Sequence, residues 1–293
     1  AGLIFELSHN REAGGHVFLP REKLLAATVQ LLDCDVDAVE KSLDDLIAIH
    51  RIVQEGVANV TACYLRQSWE DETYVVTRIE AMLADKPDAL RGVERVIKEI
   101  EREQGVQYAP LQRQAVELAA KEELLLLTGG PGTGKTTTLN AIIKIMKAKG
   151  KTVLLSAPTG RAAQRMSELT GDEAKTLHRL LEVSWDKHDN PIFNKNERNQ
   201  LKCDALIVDE VSMVDTFIME SVMRALAIGC RLILVGDSDQ LPSVGPGNVL
   251  SDLIESGLIP VVRLNEIFRQ AQQSLIVTNA HKIVNGEMPV LNS

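Results

Sequence analysis

The feature that most constrains the fold is a glycine-rich segment that connects an apolar run to a helical pattern. Residues 129–136 have the sequence GGPGTGKT, which matches G-x-x-x-x-G-K-[ST]. The apolar run Leu124–Thr128 precedes it, and Lys135–Ala148 has helical spacing. Such a turn aims backbone N–H groups and a helix N-terminus at one point, where a phosphate can bind. The segment therefore predicts a phosphate-binding loop in an α/β domain.

Four further short apolar runs follow this loop, and each precedes a polar or glycine-rich turn. In chain order they are Thr152–Ala157, Ala205–Asp209, Leu232–Gly236 and Val261–Leu264. They lack the alternation of a half-exposed strand, which favours strands buried on both faces, as in a parallel sheet covered by helices. Residues 108–293 are therefore predicted to form an α/β domain around a central parallel sheet.

The first hundred residues predict a different, smaller module. Helical spacing is followed by extended runs, in the order Pro20–Leu32, Val36–Ile49, Ile52–Gln54 and Val57–Leu65. We expect a hairpin turn around Glu55–Gly56. This order predicts a mostly α, winged-helix-like module at residues 1–75, followed by a helical linker at 76–107. A DNA-reading role and a packing role both remain open for it, because the local charge is acidic.

The net charge of −9 argues at first against a nucleic-acid partner. The charge is unevenly distributed, however: residues 1–107 hold 20 acidic and 12 basic side chains, whereas residues 135–202 hold 7 acidic and 13 basic ones. The basic segment leaves nucleic acid open as a partner. No apolar stretch approaches the roughly 18 residues of a membrane helix, so no membrane partner is expected. Four scattered cysteines are typical of a reducing cytoplasm.

The glycine-rich segment and a later acidic pair predict a nucleotide site. The predicted ATP-binding residues of the loop are Gly129, Gly130, Pro131, Gly132, Thr133, Gly134, Lys135, Thr136 and Thr137. Lys135 would reach the β- and γ-phosphates, and the Thr136 hydroxyl would bind Mg²⁺ together with Asp209. Glu210, next to Asp209, would polarise the attacking water. An adjacent glutamate favours hydrolysis of the nucleotide over phosphoryl transfer to a small molecule.

Together these blocks resemble superfamily 1 DNA helicases of the RecD/TraA type, the exodeoxyribonuclease V alpha-subunit family. The matching blocks are Tyr108–Gln112, Gly129–Thr136, Ser156–Ala163, Thr176–Leu181, Asp209–Asp215, Val235–Asn248 and Ile267–Gln270. The front of the chain is similar, less specifically, to the long stand-alone subclass. The resemblance implies a RecA-like fold for the first of two motor domains.

The resemblance also implies roles for residues outside the loop. Gln112 would recognise adenine, with Gln114 as the competing candidate, and Gln240 would contact the γ-phosphate. Arg269 would act as an arginine finger on the γ-phosphate, with a surface ion pair as the alternative. The DNA-binding candidates are Pro158, Thr159, Gly160, Arg161, Thr176 and His178. For His178 a core position is the alternative. Residues 184–202 are expected to be a pin hairpin that splits the duplex, with a plain surface loop as the alternative.

The implied function is that of an ATP- and Mg²⁺-dependent 5′→3′ DNA helicase in recombination and repair. It would act on single strands and on single-strand/duplex junctions, as a monomer in the bacterial cytosol near the nucleoid. Partners in a recombination complex remain open. A nucleotide switch and a non-motor DNA-binding module are the alternatives, and a nuclease is disfavoured because no second carboxylate cluster stands out.

The matching motifs stop at Arg269, and nothing after it resembles a second motor domain. We therefore expect this chain to be an incomplete motor. It should bind Mg·ATP but hydrolyse it slowly, and it should not unwind DNA unaided.

Overall fold

The computed structural model describes residues 1–84, 87–187, 191–266 and 275–290, which form two compact units. The first unit comprises Ala1–Arg78 together with two later segments, Val214–Met223 and Pro242–Val249. The second comprises Ile79–Met213, Arg224–Leu241 and the residues from Leu250 onward.

The front of the first unit consists of three helices and a three-stranded antiparallel sheet. In chain order the elements are α1 (Gly2–Gly14), β1 (Phe18–Pro20), α2 (Arg21–Leu32), α3 (Val36–Ala48), β2 (Ile52–Val57) and β3 (Val60–Leu65). The strand order is β1-β3-β2. The predicted helices α2 and α3 and the hairpin are confirmed, and the element order is that of a winged helix. The sequence did not predict α1 or β1.

The predicted position of the hairpin turn is wrong. Gly56 pairs with Thr61 inside the ladder, and Val57 pairs with Val60, so that Ala58 and Asn59 form the turn. Ala58 has a φ of 52°. Positive φ in a two-residue loop matches the right-handed twist of the paired strands, which lets the ladder continue past Glu55. The turn therefore lies three residues later than the glycine suggested.

The helices of the remaining chain are α4 (Arg66–Ala84), α5 (Val93–Gln104), α6 (Pro110–Lys121), α7 (Lys135–Ala148), α8 (Gly160–Thr170), α9 (Leu177–Leu180), α10 (Thr216–Ala225), α11 (Val249–Ser256) and α12 (Leu275–Val284). The strands are β4 (Leu124–Gly129), β5 (Val153–Ala157), β6 (Ala174–Thr176), β7 (Val183–Trp185), β8 (Pro191–Phe193), β9 (Ala205–Val208), β10 (Arg231–Gly236) and β11 (Val261–Leu264).

Six of these strands form the sheet of the second unit. Their order is β11-β4-β10-β9-β5-β6, and every neighbouring pair is parallel. All residues of β9 and β10 are buried, and so is β4 except for Gly129 at its end. The predicted α/β domain with a central parallel sheet is therefore confirmed, and burial on both faces explains why these strands lack alternation. The edge strand β6 was not predicted.

The segment predicted as an insertion contains a small antiparallel ribbon. Strands β7 and β8 pair Val183 with Phe193 and Trp185 with Pro191. The residues between them, 188–190, lie outside the described part of the chain. None of the helices in the described ranges is both long and apolar enough to cross a membrane.

Ile207 in β9 tests the importance of the central strands, because it is fully buried in the core of the sheet. Ile207→Ala should lower the free energy of unfolding by about 2–5 kcal/mol, through lost burial and the cavity left behind. Urea denaturation followed by circular dichroism measures this change. Ile228→Ala is the control, since Ile228 is 78% exposed, and it should cost less than about 0.5 kcal/mol. Equal losses in the two variants would contradict this assignment of the core.

Candidate nucleotide and DNA site

The strand register brings three functional segments to one edge of the sheet. Thr128 of β4 lies opposite Gly236 of β10, and Leu234 of β10 lies opposite Val208 of β9. The residues that follow these three strands therefore leave the sheet at its carboxyl edge. In open α/β sheets, ligands bind at this edge, in the crevice outside the strand ends.

The backbone of the glycine-rich loop requires glycine at more than one position, as Gly134 and Gly129 show. Gly134 has a φ of 84° and directly precedes α7, so an L side chain there would be strained. Gly129 lies against the neighbouring strand, where an added Cβ would come 2.6 Å from the Leu264 carbonyl oxygen. The buried Thr133 hydroxyl donates to the Gly130 carbonyl at 2.8 Å and closes the loop. The loop thus directs its amides and the N-terminus of α7 into one cavity.

The ammonium group of Lys135 lies inside this loop. It donates hydrogen bonds to the carbonyl oxygens of Gly129 and Gly130, at 3.0 Å for the latter. Burial lowers the pKa of Lys135, and the charges of three carboxylates, Asp237, Asp209 and Glu210, oppose that shift. Lys135 is therefore the cation at the centre of an acidic site.

The acidic pair follows β9 as predicted. Burial raises the pKa of Asp209, and burial followed by the charge of Asp209 raises the pKa of Glu210. The Glu210 amide donates to the Asp209 carboxylate at 2.8 Å. Glu210 has a φ of 54°, a conformation that costs a non-glycine residue about 1–3 kcal/mol. The fold therefore sustains both a backbone strain and a desolvated carboxylate at this position.

Gln240 connects the ends of β10 and β9. Its backbone amide donates to the Asp237 carbonyl at 3.2 Å, and its side-chain oxygen accepts from the Ser212 hydroxyl at 3.4 Å. Ser212 lies two residues beyond Glu210. A change at Gln240 can thus reach the acidic pair through a short chain of contacts.

These groups border a single cavity of about 1020 Å³. Of the predicted nucleotide-site residues, its lining includes Gln112, Gly130, Pro131, Gly132, Thr133, Gly134, Lys135, Thr136, Thr137, Asp209, Glu210 and Gln240. Gly129 supports the loop from behind and does not line the cavity. Arg269 lies outside the described residues, so its predicted role stays a prediction.

Gln112 lies at the cavity with its side-chain amide engaged by the backbone. It is 2% exposed, accepts from the Ala109 amide at 3.0 Å and donates to the Gly134 carbonyl at 3.4 Å. Recognition of adenine would require it to exchange at least the longer bond. The competing candidate, Gln114, is exposed and lies outside the cavity.

The lining also contains charged and imidazole side chains that the sequence did not predict for the site, among them Arg165, Asp237, Asp239 and His281. Asp237 belongs to a matching block and follows a buried strand just as Asp209 does, so its position was predictable. His281 of α12 lies 3.1 Å from the Pro131 carbonyl oxygen, and its ring covers Gly130. His281 belongs to a helix about 150 residues along the chain from the loop, and no local sequence pattern predicts this contact.

The predicted DNA-contact residues occupy the ends of two neighbouring strands, β5 and β6. Ala157 lies opposite Thr176, which places Pro158–Arg161 beside Thr176 and His178. Thr159 and Thr176 are helix N-caps, and each hydroxyl accepts a hydrogen bond from a backbone amide of the helix that follows. Gly160, Arg161 and His178 are exposed. The structure therefore brings these residues together at one surface.

His178 is not a core residue, contrary to the alternative considered for it. Its exposed ring lies against Phe193 of the β7–β8 ribbon, with 5.8 Å between ring centroids. Trp185 of the same ribbon is 63% exposed. The ribbon thus stands next to the predicted DNA-contact residues.

Comparisons with known proteins show what this chain is similar to. Residues 112–246 match a family described as an AAA domain. The chain is 32% identical to the ATP-dependent RecD2 DNA helicase of Deinococcus radiodurans, over 99% of this chain and 40% of that protein. It is 36% identical to the RecBCD enzyme subunit RecD of Mycolicibacterium smegmatis, over 66% of this chain and 37% of that protein.

Among solved structures, the Pif1 helicase from Candida albicans is similar at 23% identity and a TM-score of 0.45, over 63% of this chain and 45% of that one. The chain spans about 40% of the length of the curated relatives it matches. The Deinococcus match includes the front module, whereas the Mycolicibacterium match covers two thirds of the chain. The sequence blocks and these relatives are consistent with a RecD-type helicase of superfamily 1.

Proposed function

We propose that the whole protein is an ATP-dependent 5′→3′ DNA helicase of the RecD type, which acts in recombination and repair. Within it, this chain would supply the winged-helix-like front module (1–75), a helical linker (76–107) and the first RecA-like motor domain (108–293). The observation that carries the proposal is the convergence of Lys135, Asp209, Glu210 and Gln240 on one cavity. A cavity that only binds a nucleotide does not need the glutamate beside Asp209.

The chain's own residues would bind and orient ATP in this cavity. The amides of the glycine-rich loop and the N-terminus of α7 would donate to phosphate oxygens. Lys135 would exchange the carbonyls of Gly129 and Gly130 for the β- and γ-phosphates. Gln112 lies where it can contact the base.

The donor set fits Mg²⁺. Asp209 is a buried carboxylate whose pKa burial raises, so a cation bound beside it would be stabilised. The described residues contain no group of three or more His, Cys, Asp or Glu arranged to hold a metal ion. Mg²⁺ commonly binds through one or two carboxylates, substrate phosphates and water, and here Asp209 and the Thr136 hydroxyl would hold it. Bound Mg²⁺ would neutralise phosphate charge during hydrolysis.

Glu210 and Gln240 would perform the hydrolytic and coupling steps. Glu210 would orient the attacking water and accept its proton, because its raised pKa makes the carboxylate a stronger base than an ordinary glutamate. Gln240 would hydrogen-bond the γ-phosphate and respond to its loss. Arg269 would add a positive charge there as an arginine finger.

DNA would bind at the ends of β5 and β6. The contacts would come from Pro158, Thr159, Gly160, Arg161, Thr176 and His178, all in the basic segment 135–202. The neighbouring ribbon, with the exposed Trp185, would form the pin at a single-strand/duplex junction. Closure of two motor domains on ATP, and opening after hydrolysis, would move the strand. We place this activity in the bacterial cytosol at the nucleoid, with a monomer as the working unit.

Unwinding by the full-length protein tests the function. It should separate a forked duplex with a 5′ single-stranded tail in the presence of ATP and Mg²⁺, and a duplex with only a 3′ tail should remain paired. Gel separation of the product strands measures both reactions. Unwinding of neither substrate, or of both equally, would contradict the proposal.

Lys135→Ala should lower the ATP turnover of the full-length protein by at least about 100-fold, because it removes the cation that contacts the β- and γ-phosphates. Phosphate release measures the rate. Lys144→Ala is the matched control, since Lys144 is an exposed lysine of the same helix, and it should keep the wild-type rate. If Lys135→Ala kept normal turnover, ATP hydrolysis would have to occur elsewhere.

Glu210→Gln separates binding from hydrolysis. The amide keeps the size of the side chain but cannot accept the proton of the attacking water, so turnover should fall by about 100-fold or more. The affinity for ATP should stay within about threefold of wild type, because Lys135 and the loop remain. Titration with a fluorescent ATP analogue measures it. Loss of ATP binding together with turnover would contradict the role given to Glu210.

A further inference from the structure

Helix α8 presents a continuous face to the nucleotide cavity. The residues of this helix that line the cavity are Ala162, Arg165, Met166, Leu169 and Thr170. Their spacing of three and four residues places them on one side of a helix. Arg161 lies one turn earlier and is absent from the lining, although both arginines are exposed to solvent. The two arginines of α8 therefore have different surroundings.

Arg165 lines the same cavity as Lys135, Asp209 and Glu210, and its charge acts on each of these three groups. Burial is the main cause of the lowered pKa of Lys135, and the positive charge of Arg165 adds to it. The same charge opposes the effect of burial on Asp209 and Glu210. The side chain of Arg165 makes no hydrogen bond or ion pair with any residue in the described ranges. Its guanidinium is thus available to a ligand at the phosphate end of the cavity.

The charge balance of the cavity favours such a contact. Four carboxylates line the cavity, those of Asp209, Glu210, Asp237 and Asp239, and Lys135 is the one lysine in this lining. An ATP molecule with one Mg²⁺ would bring a further net negative charge into the same space. A guanidinium can offer two parallel N–H donors to phosphate oxygens, and charge-assisted bonds of this kind are roughly twice as strong as neutral ones.

We propose that Arg165 is a nucleotide-binding residue whose guanidinium donates hydrogen bonds to the β- and γ-phosphates of bound ATP, as a second cation beside Lys135. The inference rests on the proposed function, because it requires that this cavity binds ATP. Arg165 is assigned to the β- and γ-phosphates because it lines the same cavity as Lys135, Asp209 and Glu210, which are the residues proposed to act on those phosphates. The inference also separates the two arginines of α8, one facing ATP and the other facing the DNA surface.

The test compares nucleotide affinities of the full-length protein by titration with fluorescent ATP and ADP analogues in Mg²⁺. Arg165→Ala should weaken ATP binding about 10-fold, the effect of losing one charge-assisted contact, and ADP binding clearly less. Arg165→Lys should recover part of the ATP affinity, since it restores a charge without the planar fork. Arg95→Ala is the control: the Arg95 side chain is 85% exposed in an i,i+4 ion pair, and both affinities should stay unchanged.

The competing role for Arg165 is contact with DNA. Single-strand affinity should be unchanged in Arg165→Ala and lower in Arg161→Ala, measured by fluorescence anisotropy of a labelled oligonucleotide. Normal ATP affinity in Arg165→Ala, with ATP binding lost in Lys135→Ala, would overturn the inference and leave the proposed function intact. Equal weakening of ATP and ADP would overturn the assignment to the γ-phosphate end. If the wild-type protein bound neither nucleotide, the inference and the proposed function would both be wrong.

Discussion

The parallel pairing of β4, β10 and β9 is the constraint on which the rest of the structure depends. The ladder fixes the heights at which the three strands end, so the glycine-rich loop, Asp209 and Asp237 must leave the sheet at the same edge. Each strand is an almost uninterrupted apolar run, and burial of these runs from both sides holds the register. A one-residue slip would move the acidic groups away from Lys135 and expose buried side chains. The chemistry of the site is therefore a consequence of how the core packs.

That site is costly to maintain. Four carboxylates, one lysine and one arginine line a cavity whose burial disfavours the charged forms of Lys135, Asp209 and Glu210. Glu210 also carries backbone strain of about 1–3 kcal/mol. A cation bound beside Asp209 would relieve part of this cost, and phosphate oxygens would accept hydrogen bonds from Lys135. The charged groups of the cavity therefore lower the stability of the folded protein, and the same groups allow the cavity to bind a highly charged ligand.

Much of this could be predicted from the sequence, and the exceptions have physical reasons. Five of the six parallel strands are long apolar runs, whereas β6 is a three-residue edge strand with Lys175 at its centre and no periodicity to detect. The hairpin turn was predicted at Gly56 because glycine favours turns, but the strand pairing continues beyond Gly56 to Val57 and Val60. The motif residues converge as their order implied. Arg165 could not be assigned from the sequence because its role depends on which side of α8 faces the cavity. His281 could not be assigned because its helix lies about 150 residues along the chain from the loop that it contacts.

We propose that this cavity hydrolyses ATP in response to DNA. The ATP hydrolysis rate of the full-length protein, measured as single-stranded DNA is added, tests this proposal. We expect a low basal rate of ATP hydrolysis that rises at least about 10-fold and saturates as DNA is added, because DNA bound at the ends of β5 and β6 would lie on the same sheet edge as Glu210 and Gln240. We also expect weaker stimulation at higher salt, since the proposed contacts are to DNA phosphates. A rate that is independent of DNA would contradict the account and leave an ATPase without a motor function.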